Sequence, residues 1–287
     1  SLAGLVSAGS GTIDITTTGG ASLSQAAGGT LIAGLLTSSG GISGTAILLG
    51  SSNQIGTLGD FTATGSLVVV DATAMTIAGA DGASAGNVFI TTGANTLNFA
   101  AGGTLKSNAT GTGTIGIEAD GLSNLGVTGA TGAVNAGANG VFEFAPATAT
   151  KTVTLGAAVG PSLSSVDGIT AETTRIGQIT QPVSGTATLN AASIVVGGKF
   201  DMATIGTLDL RSKGGIGETV GASIVNLGSL IASTNGAAGD INLGSTLNVI
   251  GTIANISVMA GDFIFGDTPA SGAFTIKAGQ TIAANNV

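Results

Sequence analysis

The feature of this sequence that most constrains its fold is a long succession of short, β-prone runs. Each run is β-branched or alternates apolar and polar residues, and Gly, Asn, Ser or Asp fills nearly every gap, as expected of strands joined by tight turns. None has the length or the period of an ordinary helix, so the sequence predicts an all-β fold. The candidate strands are TIDIT (12–16), TLIAGLL (30–36), TAILL (45–49), SLVVV (66–70), MTIAG (75–79), NVFIT (87–91), TLNFA (96–100), TIGIE (114–118), VFEF (141–144), TVTL (152–155), TATLN (186–190), SIVVG (193–197), TLDL (207–210), SIVNL (223–227), DINL (240–243), TLNVI (246–250), DFIF (262–265) and AFTI (273–276).

Many short strands at spacings of about 8 to 12 residues fit either a β-sandwich or a repeat solenoid. Aromatic residues make up only 3% of the chain and all are Phe, whereas a sandwich of this length normally has core aromatics and charged or Pro-rich edges. A parallel β-helix fills a narrow interior with Ala, Val, Leu and Ile and uses Gly or Asn in left-handed conformations at its corners. The 51 Gly and 4 Pro, without a three-residue Gly period, fit that architecture and exclude collagen. We therefore expect a β-solenoid.

The solenoid interpretation sets the dimensions and the core. Coils of roughly 20 to 25 residues, each with three short strands, would give on the order of 12 to 14 coils. At about 4.8 Å per coil, they would form a rod of roughly 60 Å. We expect the strands to pair in parallel, with a stability that is approximately a sum of nearest-neighbour terms. The inward, buried positions are predicted to include Val69, Ile90, Phe99, Val153, Val195 and Leu227.

Charge and residue types exclude several functions. Fifteen acidic against seven basic residues give a net charge of −8, which repels nucleic acid and anionic membrane surfaces. The apolar runs are far shorter than the roughly 20 residues of a membrane-spanning helix, so we expect neither nucleic-acid binding nor membrane insertion. With no His and no Cys, Ser-His-Asp and Cys-His catalysis, His-ligated zinc and thiol chemistry are excluded. The chain begins with Ser and shows no signal peptide, as expected of a mature product or a fragment.

The acidic residues remain as candidate catalytic groups, because paired carboxylates can hydrolyse glycosidic bonds. Glu118 and Asp120 alternate on one strand and would share a face, and Asp262 and Asp267 flank the FIF run. Glu143 lies between two phenylalanines that should point inward, so its own side chain is expected to point to solvent. Solvated faces and turn caps explain these acids without catalysis, and we predict no catalytic residue.

A calcium site is not expected either. The β-roll repeat needs Gly-Gly-x-Gly-x-Asp in tandem, and GADGASAG (79–86) contains one Asp and no repeat. We predict no metal-binding residue, no cofactor-binding residue and no cofactor.

The stretch TVTLGAAVGPSLSSVDGITAETTRIG (152–177) starts and ends as a strand but is interrupted by a Ser-rich patch. Leu163, Val166 and Ile169 are spaced to lay one apolar face on the rod, which predicts a short helical excursion near 162–172. An active-site lid is the alternative, but Asp167 and Glu172 are its only groups capable of catalysis.

Two segments carry a resemblance to a known family. FEFAPATATKTVTLGAAVGPSLSSVDGITAETTRIGQITQPVSGTATLNAASI (142–194) and QIGTLGDFTATGSLVVVDATAMTIAG (54–79) resemble recurring units of very large, filamentous-haemagglutinin-like bacterial exoproteins. The resemblance implies a right-handed parallel β-helix that is secreted across a bacterial outer membrane as an adhesin or matrix fibre. The secretion domain of that family carries Asn-Pro motifs, but none of the four prolines here follows Asn. Residues 1–287 would therefore be one shaft segment.

These observations favour a structural role. We expect an extracellular or cell-surface rod that associates with itself end to end, because the first thirteen and the last ten residues contain no charge to block strand pairing. The alternative is an adhesive module that uses a Thr and Asn face to bind ice or glycans, including host or matrix glycans. A polysaccharide-active enzyme is the third hypothesis. Acids gathered with Arg175 or Lys199 in one groove would favour the enzyme, whereas scattered acids and a flat Thr face would favour binding.

Overall fold

The computed structural model of the protein describes residues 1–26, 28–108, 111–125, 133–158, 160–202, 205–236, 239–268, 275–276 and 282–286. This part of the chain contains strands and no helix, which confirms the predicted all-β fold class. The strands are β1 (Leu5–Ser7), β2 (Thr12–Asp14), β3 (Leu23–Ser24), β4 (Thr30–Thr37), β5 (Ala46–Leu48), β6 (Gln54–Leu58), β7 (Thr62–Ala63), β8 (Leu67–Val70), β9 (Met75–Ile77), β10 (Ala80–Ala83), β11 (Val88–Phe99), β12 (Thr104–Ser107), β13 (Thr114–Ser123), β14 (Ala133–Asn135), β15 (Val141–Ala145), β16 (Thr152–Leu155), β17 (Ser162–Leu163), β18 (Ile169–Thr170), β19 (Thr173–Ile176), β20 (Gln178–Thr180), β21 (Ala187–Leu189), β22 (Ser193–Val196), β23 (Lys199–Asp201), β24 (Thr207–Ser212), β25 (Ile216–Glu218), β26 (Ser223–Val225), β27 (Leu227–Thr234), β28 (Ile241–Leu243), β29 (Ile250–Val258), β30 (Phe263–Phe265), β31 (Thr275–Ile276) and β32 (Ile282–Ala283).

The strands stack in parallel as a β-solenoid of about 11 turns. Among the described pairs, only β20 with β21 is antiparallel. Early coils are short: Leu23 pairs with Ala46, Ala46 with Leu67 and Leu67 with Val88, which are steps of 23, 21 and 21 residues. Later coils are longer, since the step from Val141 to Thr173 is 32 residues. The predicted number of 12 to 14 coils is therefore too high, because insertions lengthen the middle coils.

Each complete coil contributes strands to three ladders. The first ladder runs through β3, β5, β8, the first half of β11, the first half of β13, β15, β19, β24, β27 and β29. The second comprises β1, β2, β4, β6, β9 and the second half of β11, and in later coils β16, β22, β25, β28 and β30. The third ladder joins β7, β10, β12, β14 and β18, and in later coils β23 pairs in parallel with β26.

The core fills the space between the ladders with aliphatic side chains and a few phenylalanines. Five of the six positions predicted to point inward are confirmed as buried: Val69, Ile90, Phe99, Val153 and Leu227. Val195 is the exception and is only half-buried. Its neighbours Ile194 and Val196 are both fully buried, and because side chains alternate along a strand, Val195 must face outward.

The corners use the residue types that the sequence predicts. Asn124 and Asn226 adopt left-handed backbone conformations, with φ of 62° and 58°. Other amides turn into the core and bond across coils: fully buried Asn53 accepts hydrogen bonds from the Leu31 backbone N–H at 2.8 Å and from Gln25 Nε2 at 2.7 Å. The Asn53 amide in turn donates to Gln25 Oε1 at 3.0 Å. Because their hydrogen-bonding groups are paired, these polar side chains are tolerated inside an apolar core.

The helical excursion predicted near 162–172 is wrong. Strand β17 pairs with Thr154–Leu155 of β16, and β18 pairs with β14 in the third ladder. The backbone of the insert therefore forms bonds to strands, such as the one from Gly156 N–H to Leu163 carbonyl oxygen at 3.0 Å. An isolated helical turn is marginal on its own, and here strand pairing satisfies the same groups.

The packing predicted for this insert is confirmed. Leu163, Val166 and Ile169 are all buried against the main core, whereas Asp167 and Glu172 are exposed. The apolar spacing in the sequence therefore indicates burial correctly, although the local backbone is extended.

A hairpin formed by β20 and β21 interrupts the coil between β19 and β22. Ile179 is fully buried and packs with Val68, Phe89 and Ala145 in a small second core on the outer side of the first ladder. Gly116 makes room for it, since an added Cβ there would lie 3.1 Å from both Ile179 and Phe89 side-chain atoms. The hairpin is thus held firmly against the side of the rod.

Candidate functional site

The acidic side chains share one role across the solenoid. Eight of the fifteen accept a hydrogen bond from a backbone N–H of a neighbouring coil or loop at 2.7 to 3.1 Å: Asp14, Asp60, Asp71, Asp81, Asp120, Glu218, Asp240 and Asp267. At the corners the parallel ladder is interrupted, so these N–H groups have no strand partner. A carboxylate supplies a strong, charge-assisted acceptor. These acids act as the turn caps that the sequence indicates.

Two of these caps are deeply buried. Asp81 is 2% exposed and its Oδ1 accepts from Phe61 N–H at 2.7 Å, while its Oδ2 has no partner. Burial raises the pKa of Asp81 to about 7 and the pKa of Asp71 to about 6, because a charged carboxylate is poorly solvated inside the protein. Close to neutral pH, Asp81 and Asp71 are therefore partly protonated and together carry less than two negative charges.

The acid pairs singled out in the sequence are not open catalytic pairs. Glu118 accepts from Asn190 Nδ2 at 2.6 Å, and burial raises its pKa. Asp120 accepts from the Thr148 backbone N–H at 2.8 Å and from its hydroxyl. Each carboxylate therefore holds a different loop against the rod.

Asp262 and Asp267 also accept hydrogen bonds from different groups. Asp262 accepts from Asn286 Nδ2 at 2.7 Å, and Asp267 accepts from Ile250 N–H at 3.0 Å. Both contacts join successive parts of the solenoid at a corner.

A lateral charge cluster forms on the outer side of the first ladder. Arg175 lies between two buried carboxylates, with its Nη1 2.5 Å from Glu143 Oε1 and its Nε 2.9 Å from Asp209 Oδ2. Arg211 completes the cluster through its Nε, 2.5 Å from Asp209 Oδ1. The hairpin closes it, since Thr180 donates to Glu143 from both its N–H, at 2.6 Å, and its hydroxyl, at 2.8 Å.

The prediction that Glu143 points to solvent is wrong. Its flanking phenylalanines do face the core, and its side chain does leave the opposite side of the strand. Only 1% of that side chain is exposed, however, because Arg175 and the hairpin cover it. Lys199 instead pairs with Asp201 at the surface, 3.0 Å apart. Acids and Arg175 do meet, but in a satisfied cluster rather than along an open groove.

The Thr and Asn face expected for adhesion exists in part. On the second ladder, Thr57, Thr76, Asn98 and Ser123 occupy successive positions of one outward row. The Ser123 hydroxyl donates to Asn98 Oδ1 at 2.8 Å, and the Asn124 amide donates to the same oxygen at 2.7 Å. Part of this row is therefore occupied by its own hydrogen bonds.

An open groove of about 460 Å³ lies on the third ladder. Its floor and walls come from four successive coils and include the hydroxyl groups of Ser43, Thr62, Thr64, Ser84 and Thr104 and the side chain of Lys106. Thr62, Gly82 and Lys106 stack in register in one outward row. A Cβ at Gly82 would lie only 2.1 Å from the Lys106 carbonyl oxygen. Glycine is therefore required here, and it leaves a notch between Thr62 and Lys106.

The groove presents unused hydrogen-bonding groups. Within the described residues, the hydroxyls of Thr62 and Thr64 bond to no other side chain or backbone group, and Lys106 forms no ion pair. All three are exposed. The sequence gives little indication of this site, because the strands of the third ladder are short and rich in Ala and Gly. A Lys between Thr and Ser in TLKS (104–107) is the one signal that could have indicated it.

Comparisons with known proteins add no assignment. No protein-family model matches the chain, and no curated protein or solved structure is significantly similar to it. Across the described ranges, no group of three or more His, Cys, Asp or Glu residues is placed to hold a metal ion. The same ranges contain no helix long and apolar enough to cross a membrane.

Proposed function

We propose that this chain is a structural segment of a secreted bacterial surface protein, and that it forms an extracellular rod or fibre by coil stacking and end-to-end association. The observation that carries the proposal is the use of the acidic residues. The eight corner caps and the lateral cluster all hold coils, loops or the hairpin together. Most of the acidic side chains are thus used to hold the scaffold together. The resemblance to filamentous exoproteins supports the extracellular setting.

The proposed association rests on an open strand edge. Among the described strands, β1 pairs with β4 alone, and Leu5 in β1 is 67% exposed. Unpaired N–H and C=O groups on an edge strand are a template for another strand. A further coil or a second copy of the chain would pair with this edge at about 4.8 Å, as the internal coils pair with one another.

A dilution series followed by analytical sedimentation tests this proposal. We expect the wild-type chain to elongate as its concentration rises. Leu5→Glu should block elongation, because a charge on an edge strand opposes pairing. Val183→Glu is the matched control, since Val183 is 65% exposed but lies at the tip of the lateral hairpin, and it should elongate like the wild type. A chain that stays monomeric throughout, or equal behaviour of the two variants, would contradict end-to-end association.

An adhesive module is the second candidate function. The groove on the third ladder favours it, because the exposed hydroxyls of Thr62 and Thr64 and the Lys106 ammonium are not bonded to other described residues. Retention of the chain on immobilised glycans, with no enzymatic turnover of them, is the result expected of such a module.

A further inference from the structure

The groove on the third ladder differs from the rest of the rod surface in what its side chains do. Most of the polar groups described above bond to neighbouring coils, and the Ser84 hydroxyl does so too, since it donates to the Thr64 carbonyl oxygen at 3.2 Å. The hydroxyls of Thr62 and Thr64, in contrast, bond to no other described residue and are exposed. Directed polar groups around a concave site are what orient a ligand. The groove therefore has the properties of a binding site rather than of a coil junction.

The shape of the groove follows from stacking. Thr62 and Lys106 are two coils apart in one row, with Gly82 between them, so their backbones are about 10 Å apart. The second row, two residues further along the strands, presents the side chains of Ser43, Thr64 and Ser84. An elongated ligand with hydroxyl groups along its length could contact both rows across several coils.

The charged residues of the groove indicate which class of ligand it binds. Lys106 is the one cation of the groove lining, and the one acidic residue of the lining, Asp81, has a buried side chain. An ammonium group forms its strongest hydrogen bonds with an anionic oxygen. The lining contains no aromatic residue, so no ring is available to stack on a base or on the apolar face of a sugar. A single cation on a chain of net charge −8 is also a poor match for the dense charge of a nucleic acid.

We propose that this groove binds an acidic saccharide, with Lys106 pairing to a sugar carboxylate and the hydroxyls of Thr62, Thr64 and Ser84 bonding to sugar hydroxyls. The proposal does not depend on the rod being a fibre subunit. It would give the rod a lateral attachment point for a carboxylated polysaccharide.

Calorimetric titration of the full chain with short galacturonate oligosaccharides tests the proposal. Lys106→Gln should weaken binding about tenfold, because a hydrogen bond to a charged group is lost. Lys213→Gln is the matched control, since Lys213 is exposed but lies outside the groove, and it should bind like the wild type. A variant with both Thr62→Ala and Thr64→Ala should bind several-fold more weakly. Far-UV circular dichroism of each variant verifies that the solenoid is intact.

Two further ligands make the assignment specific. A neutral galacto-oligosaccharide of equal length should bind at least about tenfold more weakly than the galacturonate, because it has no partner for Lys106. A sulfated oligosaccharide of equal length should also bind more weakly, since a sulfate ester is a weaker hydrogen-bond acceptor than a carboxylate. Tighter binding of the sulfated or the neutral sugar would overturn the proposal. So would equal affinities of Lys106→Gln and Lys213→Gln, or no binding of galacturonate at all.

Discussion

Asp81 should make the solenoid more stable in mild acid than at slightly alkaline pH. Its carboxyl is buried, its Oδ2 has no partner, and its pKa in the folded protein is about 7. In an unfolded chain the pKa is near the usual 3.8. Between these two values the folded protein holds a proton that the unfolded chain has released. The free energy of unfolding must therefore fall as pH rises through this window.

The magnitude follows from the width of the window. Each pH unit changes the free energy of unfolding by about 1.4 kcal/mol for one proton. A window of about three units therefore corresponds to about 4 kcal/mol between pH 4 and pH 8, from Asp81 alone. Asp71 adds a smaller contribution with the same sign, since its pKa is about 6.

Urea unfolding of the wild type and of Asp81→Asn across this pH range measures the effect. Far-UV circular dichroism is the suitable signal, because the chain has no Trp and no Tyr. Asn keeps an acceptor for the Phe61 N–H but cannot titrate, so the variant should lose about 4 kcal/mol of the pH dependence. Asp14→Asn is the control: Asp14 is an exposed corner cap whose pKa is lowered by its hydrogen bonds with Ser39. Its removal should leave the pH dependence between pH 4 and pH 8 almost unchanged, because a carboxyl with a pKa lowered from 3.8 is ionised in both the folded and the unfolded protein over this range. Identical pH profiles for the wild type and Asp81→Asn would refute the reasoning.

Three further predictions concern the core, the charge cluster and the candidate acids. Phe142→Ala should lower the free energy of unfolding by about 3 to 5 kcal/mol in chemical denaturation, because it leaves a cavity at a fully buried site; a loss below about 1 kcal/mol would contradict this packing. Arg175→Met should cost about 3 to 5 kcal/mol by the same measurement, since buried Glu143 loses its cation and buried Asp209 keeps only Arg211. Lys199→Met removes only a surface pair and should cost about 1 kcal/mol or less, so equal losses would argue against a buried cluster. Glu118→Gln and Asp262→Asn should leave assembly and any glycan binding nearly unchanged. Loss of an enzymatic activity on polysaccharides in either variant would point to a catalytic role.

The sequence predicts the first two ladders well and misses the third. Runs such as SLVVV (66–70) and TVTL (152–155) are β-branched or alternate, because one side of each strand packs in a core. The third ladder uses strands such as ADGA and TLKS. They are short and weakly apolar, and they are strands only because neighbouring coils supply their hydrogen bonds. Because this pairing joins residues that are far apart in the chain, the local sequence gives little indication that these segments are strands. TLNVI (246–250) shows the reverse, since only Ile250 of this run lies in a strand.

The candidate sites were harder to predict for the same reason. Arg175 lies 32 residues from Glu143 and 34 from Asp209 along the chain, and the three meet only because coil lengths bring them into one row. The groove depends likewise on the register that places Gly82 between Thr62 and Lys106. The acidic turn caps, in contrast, could be predicted from residue type alone, since Asp side chains beside turns commonly accept backbone hydrogen bonds.

Electron microscopy of the chain at high concentration, combined with fibre diffraction, tests whether the rods stack end to end. We expect unbranched filaments one solenoid wide, with a reflection at about 4.8 Å along the filament axis, because each added rod would continue the same stacking of coils. The same filaments should be absent from Leu5→Glu. Isolated rods of about 11 coils that never join, or sheets formed by side-to-side contact, would contradict a shaft built by end-to-end stacking.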